Sequence, residues 1–343
     1  MYDCHADVTA YHNKDVTLPK DERDTMRDRR DTNRTRLKDG LKRDDKPKPV
    51  GCHTQGSYAM RTMVQHAESD YDIDDGVYFA KEDLVGPQGG VMTAAAAKEM
   101  VRKAVHDDKF KKVPEVRNKC VRVYYDAGYH VDIPVYRRFV ESGVFSYELA
   151  ATDWKVSDAL EVTRWFTDQN EEQSPDLANG GQLRRMVRLI KAFARSRPSW
   201  RDQIATGFMI TKLVSESFNA NSDREDKSLR STMRAIHMRL QGNLVIKHPV
   251  LNEILTNGTE DAKAKFLRTK LEWALGELEG LDERGCTQED ARAIWDRVFY
   301  TTFFRDRGPA KKAEVSAAAI LKGEGAFAAE REAVDRRGGG RFG

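Results

Sequence analysis

The residues best suited to chemistry are a Gln-Gly-Ser tripeptide at residues 55–57 and the sequence Asp72-Ile73-Asp74. In a β-strand alternate side chains share a face, so Asp72 and Asp74 would project together while Ile73 points into a core. Carboxylates supply the oxygen ligands that Mg²⁺ prefers. The glycine would let the backbone approach a phosphate closely, and the serine could bind its oxygens. The two motifs together predict a phosphate cradle beside a metal site, the combination used in nucleotidyl transfer.

A third carboxylate lies in residues 121–136, where apolar and polar residues alternate around an Asp-Ala-Gly turn signal. This pattern predicts a β-hairpin. With residues 126–128 as the turn, Arg122 lies directly opposite Asp132, and the buried face comprises Val121, Val123, Val131, Ile133 and Val135. Asp132 could then join Asp72 and Asp74 around two metals, and Arg122 could grip a phosphate with both guanidinium arms. An ordinary arginine–aspartate pair on a solvated face is the alternative.

The composition limits the class of protein. The chain has 343 residues, which suits two domains, and a net charge of only +3, so strong polyanion binding would need local basic patches. The cysteines show no CxxC spacing and are expected to be reduced thiols rather than disulfides or a zinc site. No apolar run approaches the roughly 20 residues of a membrane helix, and the N-terminus is too polar for a secretion signal. These features predict a soluble cytoplasmic protein.

The elements around the motifs can also be predicted. Residues 18–45 alternate acids and bases and indicate one long salt-bridged helix with Pro19 in its first turn. Its basic residues could form a nucleic-acid stripe, but the interleaved aspartates favour a solvated face. Residues 46–50 should lead into the strand before the Gly-Ser turn, and a helix is expected near residues 92–106. This order predicts an α/β domain with a mixed sheet whose polar face carries the carboxylates.

From about Trp154 the pattern becomes helical, beginning with a helix capped by a hydroxyl at Ser157-Asp158. The next helix has an apolar stripe at Leu183, Met186, Val187, Ile190 and Phe193, flanked by a basic row of Arg184, Arg188, Lys191 and Arg195. A side chain of this row could reach a phosphate in an interdomain cleft, although a solvated row fits equally well. Further helices are expected at residues 206–218, 260–281 and 288–304, with a loop or insertion between the first two. Residues 309–343 cannot form a core and should be mobile.

Three blocks carry a resemblance to a known family: Gln-Gly-Ser-Tyr at 55–58, Asp-Ile-Asp-Asp-Gly-Val-Tyr at 72–78 and His-Val-Asp-Ile-Pro-Val-Tyr at 130–136. They resemble bacterial CD-NTases, the cGAS/DncV-like synthases of cyclic oligonucleotides found in anti-phage (CBASS) operons, and above all the bacterial cyclic GMP-AMP synthases. The resemblance covers most of residues 10–300. It implies a polymerase-β-like nucleotidyltransferase core with the long helix (1–150), a helical oligoadenylate-synthase-like domain completing the nucleotide cleft (151–308), and a tail (309–343).

The resemblance also implies roles for individual residues. Asp72, Asp74 and Asp132 would bind Mg²⁺, with Mn²⁺ as an alternative, and Asp132 would help to activate the attacking hydroxyl. The donor triphosphate would lie on Gln55, Gly56, Ser57, Tyr58, Ala59 and Met60. Further nucleotide contacts would come from Arg122, Ser157, Lys191 and Thr206. The family usually has Pro-Ser-Ser or Pro-Ser-Gly where this chain has Ile-Ala-Thr-Gly at 204–207, so Thr206 keeps the hydroxyl in an altered context.

The function implied is synthesis of a cyclic dinucleotide, cyclic GMP-AMP, from ATP and GTP with release of pyrophosphate. A partner enzyme with fused E1- and E2-like parts would conjugate the C-terminal Gly343 to cellular targets. No Cys/His cluster supports the zinc insertion of animal relatives, so activation by DNA is not expected, and the protein is expected to be a monomer. Two alternatives remain. An RNA-extending enzyme such as an oligoadenylate synthase would need a long basic track, and a non-catalytic nucleotide sensor would lack a carboxylate.

Overall fold

The structure is a computed structural model that describes residues 1–65, 71–86, 88–125 and 128–308. The described residues form a mixed eight-stranded sheet surrounded by helices, which confirms the predicted fold class. The strands are β1 Gly51–Gln55, β2 Asp72–Ala80, β3 Glu115–Val116, β4 Val121–Tyr124, β5 His130–Ile133, β6 Val135–Glu141, β7 Val144–Ala150 and β8 Trp154–Val156. The helices are α1 His5–Tyr11, α2 Lys20–Arg43, α3 Gly56–Ala59, α4 Ala94–Val105, α5 Ala159–Gln173, α6 Gln182–Arg195, α7 Gly207–Ser217, α8 Glu225–Gly242, α9 Ala262–Glu279 and α10 Gln288–Phe299.

Strand β2 is the centre of the sheet because three strands pair with it. β1 lies antiparallel on one side, and β5 and β6 lie parallel, one after the other, on the opposite side. Pro134 separates β5 from β6, and its carbonyl still accepts a hydrogen bond from the N–H of Val77. β4 and β3 continue the sheet beyond β5, whereas β7 and β8 continue it beyond β6. A tight turn with left-handed Ser142 and Gly143 (φ 51° and 78°) joins β6 to β7.

One face of the sheet is covered by α2 and α4, and the side chains between them form a hydrophobic core. The predicted buried residues of the hairpin, Val121, Val123, Val131, Ile133 and Val135, all lie in this core. Asp75 projects into the same side and is only 5% exposed. Both of its oxygens accept hydrogen bonds from Arg34 of α2, at 2.7 and 2.6 Å, so the long helix is tied to β2 beside the predicted metal site.

A second core lies among the helices that follow the sheet, and it includes the predicted apolar stripe of α6. Cys4, Val8 and Tyr11 from the start of the chain also pack into it. Residues 1–16 therefore contribute to the helical core although they precede the sheet in sequence, and the proposed domain boundaries stay a prediction.

Several details of the predicted helices were wrong. The loop expected between the second-half helices contains the 18-residue helix α8, whose buried Leu229, Met233, Ile236 and Leu240 recur at helical spacing. Helix α5 is capped by the carboxylate of Asp158, which accepts from the N–H of Glu161, rather than by a hydroxyl. The last helix ends at Phe299 because Tyr300 adopts a left-handed conformation (φ 53°).

Among the described residues, no helix combines the length and the apolar character needed to cross a membrane. The tail from residue 309, with the predicted conjugation site Gly343, lies outside the described residues.

Helices α2 and α4 approach closely at Gly40, where an added Cβ would stand 2.0 Å from the backbone oxygen of Ala104. We expect Gly40→Ala to lower the free energy of unfolding by about 1–3 kcal/mol because the helices must separate. Gly276 in α9 is the matched control, since a Cβ there would meet nothing within 4 Å. Gly276→Ala should raise stability by about 0.5–1 kcal/mol through helix propensity. Urea unfolding of both variants measures the two changes in the free energy of unfolding. Equal changes would contradict the close approach of α2 and α4.

Candidate functional site

The predicted site residues form a row across the sheet. In the strand registers Gln55 lies beside Asp74, Asp74 beside Asp132, and Asp132 beside Arg122. Asp72 lies in the next row, beside His130. All these residues lie on neighbouring strands because β2 and β5 run parallel and in register. The sheet therefore brings the three predicted carboxylates together on the face opposite α2 and α4.

Asp132 is paired with Arg122 as predicted. Both carboxylate oxygens accept hydrogen bonds from the guanidinium at 2.7 Å, and Asp132 is only 6% exposed. The pair thus places a guanidinium group directly against this buried carboxyl group. Asp132 therefore lies next to Asp74 with Arg122 as its ion-pair partner.

Asp74 is the electrostatically frustrated member of the group. Burial raises the pKa of Asp74 to about 8, and the nearby charges of Asp72 and Asp132 act in the same direction. A divalent cation would relieve this repulsion, and its preferred ligands are oxygen atoms like those of Asp72 and Asp74. The donor set thus fits Mg²⁺ in chemistry. Among the described residues, however, no three acidic, histidine or cysteine side chains are already arranged as a cation site, and Asp132 is occupied by Arg122.

Gly56 begins α3 with a left-handed φ of 65°, a region that favours glycine. A Cβ at this position would stand 2.2 Å from the Oδ2 atom of Asp74. The glycine is therefore required by the approach of the turn to the carboxylate, in addition to the phosphate approach expected from the sequence. This contact fixes the Gly-Ser turn directly against the acidic row.

The other predicted cradle residues are divided between different surroundings. The Gln55 side chain is buried and bonds the hydroxyls of Tyr136 and Tyr78 at 3.2 and 3.3 Å, so it supports the site from beneath. Ser57 and Ala59 are half-buried, and Met60 is packed in the helical core. The Tyr58 hydroxyl donates to the carbonyl of Arg23. The predicted nucleotide contact Ser157 is half-buried and lies close enough to Tyr136 to influence the pKa of that phenol.

The basic row of α6 holds the segment that follows α3. The Nε atoms of Arg184 and Arg188 donate to the carbonyls of Met60 and Arg61, at 3.0 and 2.8 Å. Lys191 Nζ donates to the hydroxyl and carbonyl of Thr62, at 2.9 and 3.3 Å. Successive cations thus bind successive residues. The solvated-face alternative is wrong for these members of the row, and only Arg195 is exposed.

Lys191 also faces the candidate cleft. It lines a cavity of about 340 Å³ together with Asp72, Arg122 and Thr206, so four predicted residues from both halves of the chain meet there. Burial, and then the charges of Arg195 and Arg188, lower the pKa of Lys191 to about 7. Within the described part of the chain this buried ammonium is hydrogen-bonded only to Thr62, so it is well placed to receive an anionic ligand.

The N-terminal end of α7 is a second feature of the cavity that favours anion binding. Thr206 is the N-cap of this helix, and its hydroxyl accepts from the N–H of Met209 at 3.3 Å. The N-terminus of a helix presents unpaired N–H groups and a positive dipole end, and both favour a phosphate. Lys191 lies against this turn, because a Cβ on Gly207 would be 3.5 Å from its Cε atom. The substituted Ile-Ala-Thr-Gly sequence therefore still forms a helix start at the cavity.

Sequence reasoning left several cavity residues out of the site. Arg195, Arg201 and Lys263 line the same cavity and make its outer wall basic. Arg195 could have been found because it continues the basic row of α6. No sequence pattern marked Arg201 or Lys263 as a cavity residue. Their positions depend on how a loop and α9 pack against the other elements.

Comparison with known proteins agrees with this geometry. Residues 50–136 match the family model described as cyclic GMP-AMP synthase DncV-like, nucleotidyltransferase domain. The fold is similar to Escherichia coli DncV in its 3'-deoxy GTP bound form, with 18% identity, a TM-score of 0.67 and coverage of 89% of this chain and 98% of that chain. It is also similar to Vibrio cholerae DncV cyclic AMP-GMP synthase, described as a prokaryotic cGAS homolog, with 15% identity, a TM-score of 0.67 and coverage of 87% and 96%.

A third similar structure is the CdnC:HORMA-deltaN complex of E. coli MS115-1, with 16% identity, a TM-score of 0.66 and coverage of 87% and 98%. The matched family model spans the β1 turn, β2 and the hairpin with all three predicted carboxylates. The resemblance to DncV-like nucleotidyltransferases expected from the sequence is therefore confirmed for this domain and for the fold.

The depressed pKa of Lys191 generates a pH prediction. Its pKa is about 7 in the folded chain against 10.5 unfolded, so the unfolded chain binds more protons between these values. Stability should therefore rise with pH across that window through this group. We expect the stability of wild type relative to Lys191→Met to increase from pH 7 to pH 10 in urea unfolding. The exposed Lys263→Met serves as the control, and parallel pH profiles for wild type and Lys191→Met would contradict the assignment.

Proposed function

We propose that this protein is a nucleotidyltransferase that joins nucleoside triphosphates into a cyclic oligonucleotide, most specifically cyclic GMP-AMP from ATP and GTP, in anti-phage defence. The observation that carries the proposal is the meeting of Asp72, Arg122, Lys191 and Thr206 in one cavity beside the acidic row of β2 and β5. Among the described residues Asp72 supplies the carboxylate that lines this cavity, and Lys191, Arg195 and Lys263 supply cations. A metal-bound triphosphate requires this division of charge.

The matched relatives support the choice of substrate. One Vibrio cholerae DncV structure is a complex with the linear intermediate 5' pppA(3',5')pG, and another is a complex with nonhydrolyzable GTP. In the present chain the triphosphate would lie between Lys191, the N-terminus of α7 and the α3 turn at Ser57. Arg122 would orient a phosphate, and Asp132 would accept the proton of the attacking hydroxyl.

Asp72 and Asp74 would hold Mg²⁺ or Mn²⁺, joined by Asp132 when Arg122 engages a phosphate instead. The cation would supply charge neutralisation for the triphosphate and a lower pKa for the attacking hydroxyl. Asp74 is the residue whose ionisation depends most on this charge, because burial and its acidic neighbours disfavour its charged form.

Product analysis tests the proposal. Purified protein incubated with all four NTPs and Mg²⁺ should give a cyclic product, identified by mass spectrometry, that resists phosphatase because it has no terminal phosphate. The double variant Asp72→Asn/Asp74→Asn should abolish it without loss of stability, since it removes like charges that repel each other. Asp39→Asn, an exposed position in α2, is the matched control. Phosphatase-sensitive linear products would favour the RNA-extending alternative, and full turnover by the double variant would contradict the metal-site assignment.

Arg122 gives a second kinetic prediction. Arg122→Lys keeps the positive charge but loses the bidentate geometry, so we expect KM for the triphosphate to rise at least about tenfold, equivalent to ~1.4 kcal/mol. Arg117→Lys is the matched control because Arg117 is an exposed arginine in the turn between β3 and β4, paired with Glu115. If steady-state kinetics show that Arg122→Lys changes neither KM nor kcat, Arg122 has only a structural role as the ion-pair partner of Asp132.

The proposed partner is an enzyme with fused E1- and E2-like parts that conjugates the carboxylate of Gly343. A terminal glycine has no side chain to hinder adenylation or thioester transfer, and the sequence of residues 337–343 is rich in glycine. The proposal rests on the sequence and on the family resemblance, because these residues lie outside the described part of the chain.

A further inference from the structure

A second cavity, of about 380 Å³, lies between α2, the segment after α3, and α6. Its lining includes Arg23, Arg27, Arg30, Arg61 and Arg188, with Asp24 as the acidic residue among them. None of the described residues lines both this cavity and the candidate nucleotide cleft.

The carboxylates that the structure describes near this cavity are already paired with cations. Asp24 is shared between Lys20 at 2.6 Å and Arg27 at 2.9 Å, and Arg30 pairs with Asp31 at 2.8 Å. In the described part of the chain, no carboxylate is within ion-pair distance of Arg23 or Arg188, and the buried Nε atom of Arg23 has no hydrogen-bond partner. Arg23 and Arg188 thus line one cavity, and neither is paired with a carboxylate of the described residues.

Arg188 illustrates the energetic cost of burying a positive charge in this cavity. It is only 7% exposed, and its Nε is satisfied by the carbonyl of Arg61 at 2.8 Å rather than by a carboxylate. Burial, and then the charges of Arg184, Arg23 and Arg61, lower its pKa. A buried cation among other cations is unfavourable unless an anion accompanies it.

We propose that this arginine cavity binds a small molecule carrying several oxyanion groups, either phosphates or carboxylates. Guanidinium groups are planar and fork-shaped, and they bind both kinds of group through two parallel hydrogen bonds. The volume lies within the range of small-molecule sites and is too small for a folded partner. The half-buried ring of Tyr58 and the side chains of Leu18 and Met63 supply an apolar wall beside the cations.

The backbone at Arg61 shows that the cavity is preorganised. Arg61 has a left-handed φ of 54°, an unusual conformation for a residue with a Cβ, and the hydrogen bond from Arg188 to its carbonyl helps to hold it. The neighbouring residue Thr62 is held by Lys191 from the cleft side. An anion on Arg61 and Arg188 would therefore act on the same short segment as a nucleotide on Lys191.

Binding of two probes, inorganic tripolyphosphate and citrate, tests the proposal by calorimetry with the full chain in magnesium-free buffer at constant ionic strength. We expect at least one probe to bind wild type saturably, and the stronger probe identifies a phosphate or a carboxylate ligand. Arg23→Gln and Arg61→Gly should each weaken binding at least about tenfold, as expected for a charge-assisted contact. Glycine accepts the backbone conformation of Arg61, so this variant should fold.

The matched control is Lys42→Gln, which removes an exposed positive charge from the same helix outside the cavity and should leave affinity unchanged. Arg122→Lys separates the two cavities, because it alters the nucleotide cleft and should not change this binding. No saturable binding to wild type would overturn the proposal, as would equal affinities of Arg23→Gln and Lys42→Gln, or a loss found only in Arg122→Lys. The result does not depend on the proposed nucleotidyl transfer, since the titration contains no nucleotide.

Discussion

The contact on which the site depends is the binding of three consecutive residues, Met60, Arg61 and Thr62, by three cations of one helix. The α3 turn begins beside the acidic row, and the segment after it would otherwise leave carbonyl groups without partners. Arg184, Arg188 and Lys191 satisfy these groups at the expense of burying their own charges. The sheet and the helical core are thereby brought together at a fixed point, and Lys191 of α6 lines the same cleft as Asp72 of β2.

The same contact explains how a nearly neutral chain creates strongly polarised surfaces. The net charge is +3, yet acidic side chains collect on the β2–β5 face and basic ones around α6. Arg34 is bound to Asp75 on one side of β2, whereas Asp74 on the other side has no comparable cation of its own. Composition alone could exclude a uniformly basic surface. It could not locate the acidic and basic clusters, because their positions depend on which helices and strands pack together.

Much of the acidic half of the site could be predicted because strand geometry is local. The two-residue repeat places Asp72 and Asp74 together, and the turn length fixes Arg122 opposite Asp132, so the sequence carries this information directly. The partners of the α6 row could not be predicted, since Met60–Thr62 lie more than a hundred residues away. The α8 stripe at Leu229, Met233, Ile236 and Leu240 was visible in principle, but the polar residues before it suggested a loop. Gln55 was predicted as a phosphate contact, whereas its burial depends on two tyrosines that strand periodicity alone does not bring to it.

The interruption of the β5–β6 edge at Pro134 has a consequence for engineering this chain. Asp132 belongs to the short segment before the proline, whose register with β2 is set at Asp72 and Asp74. The β6–β7 hairpin pairs with β2 separately, and its tip at Ser142 and Gly143 is exposed. Length changes at this tip are absorbed by the hairpin, because the proline isolates the register of the acidic row from them. The tip is accordingly the attachment point of choice for a reporter domain or a surface tether that must leave the metal-binding geometry intact.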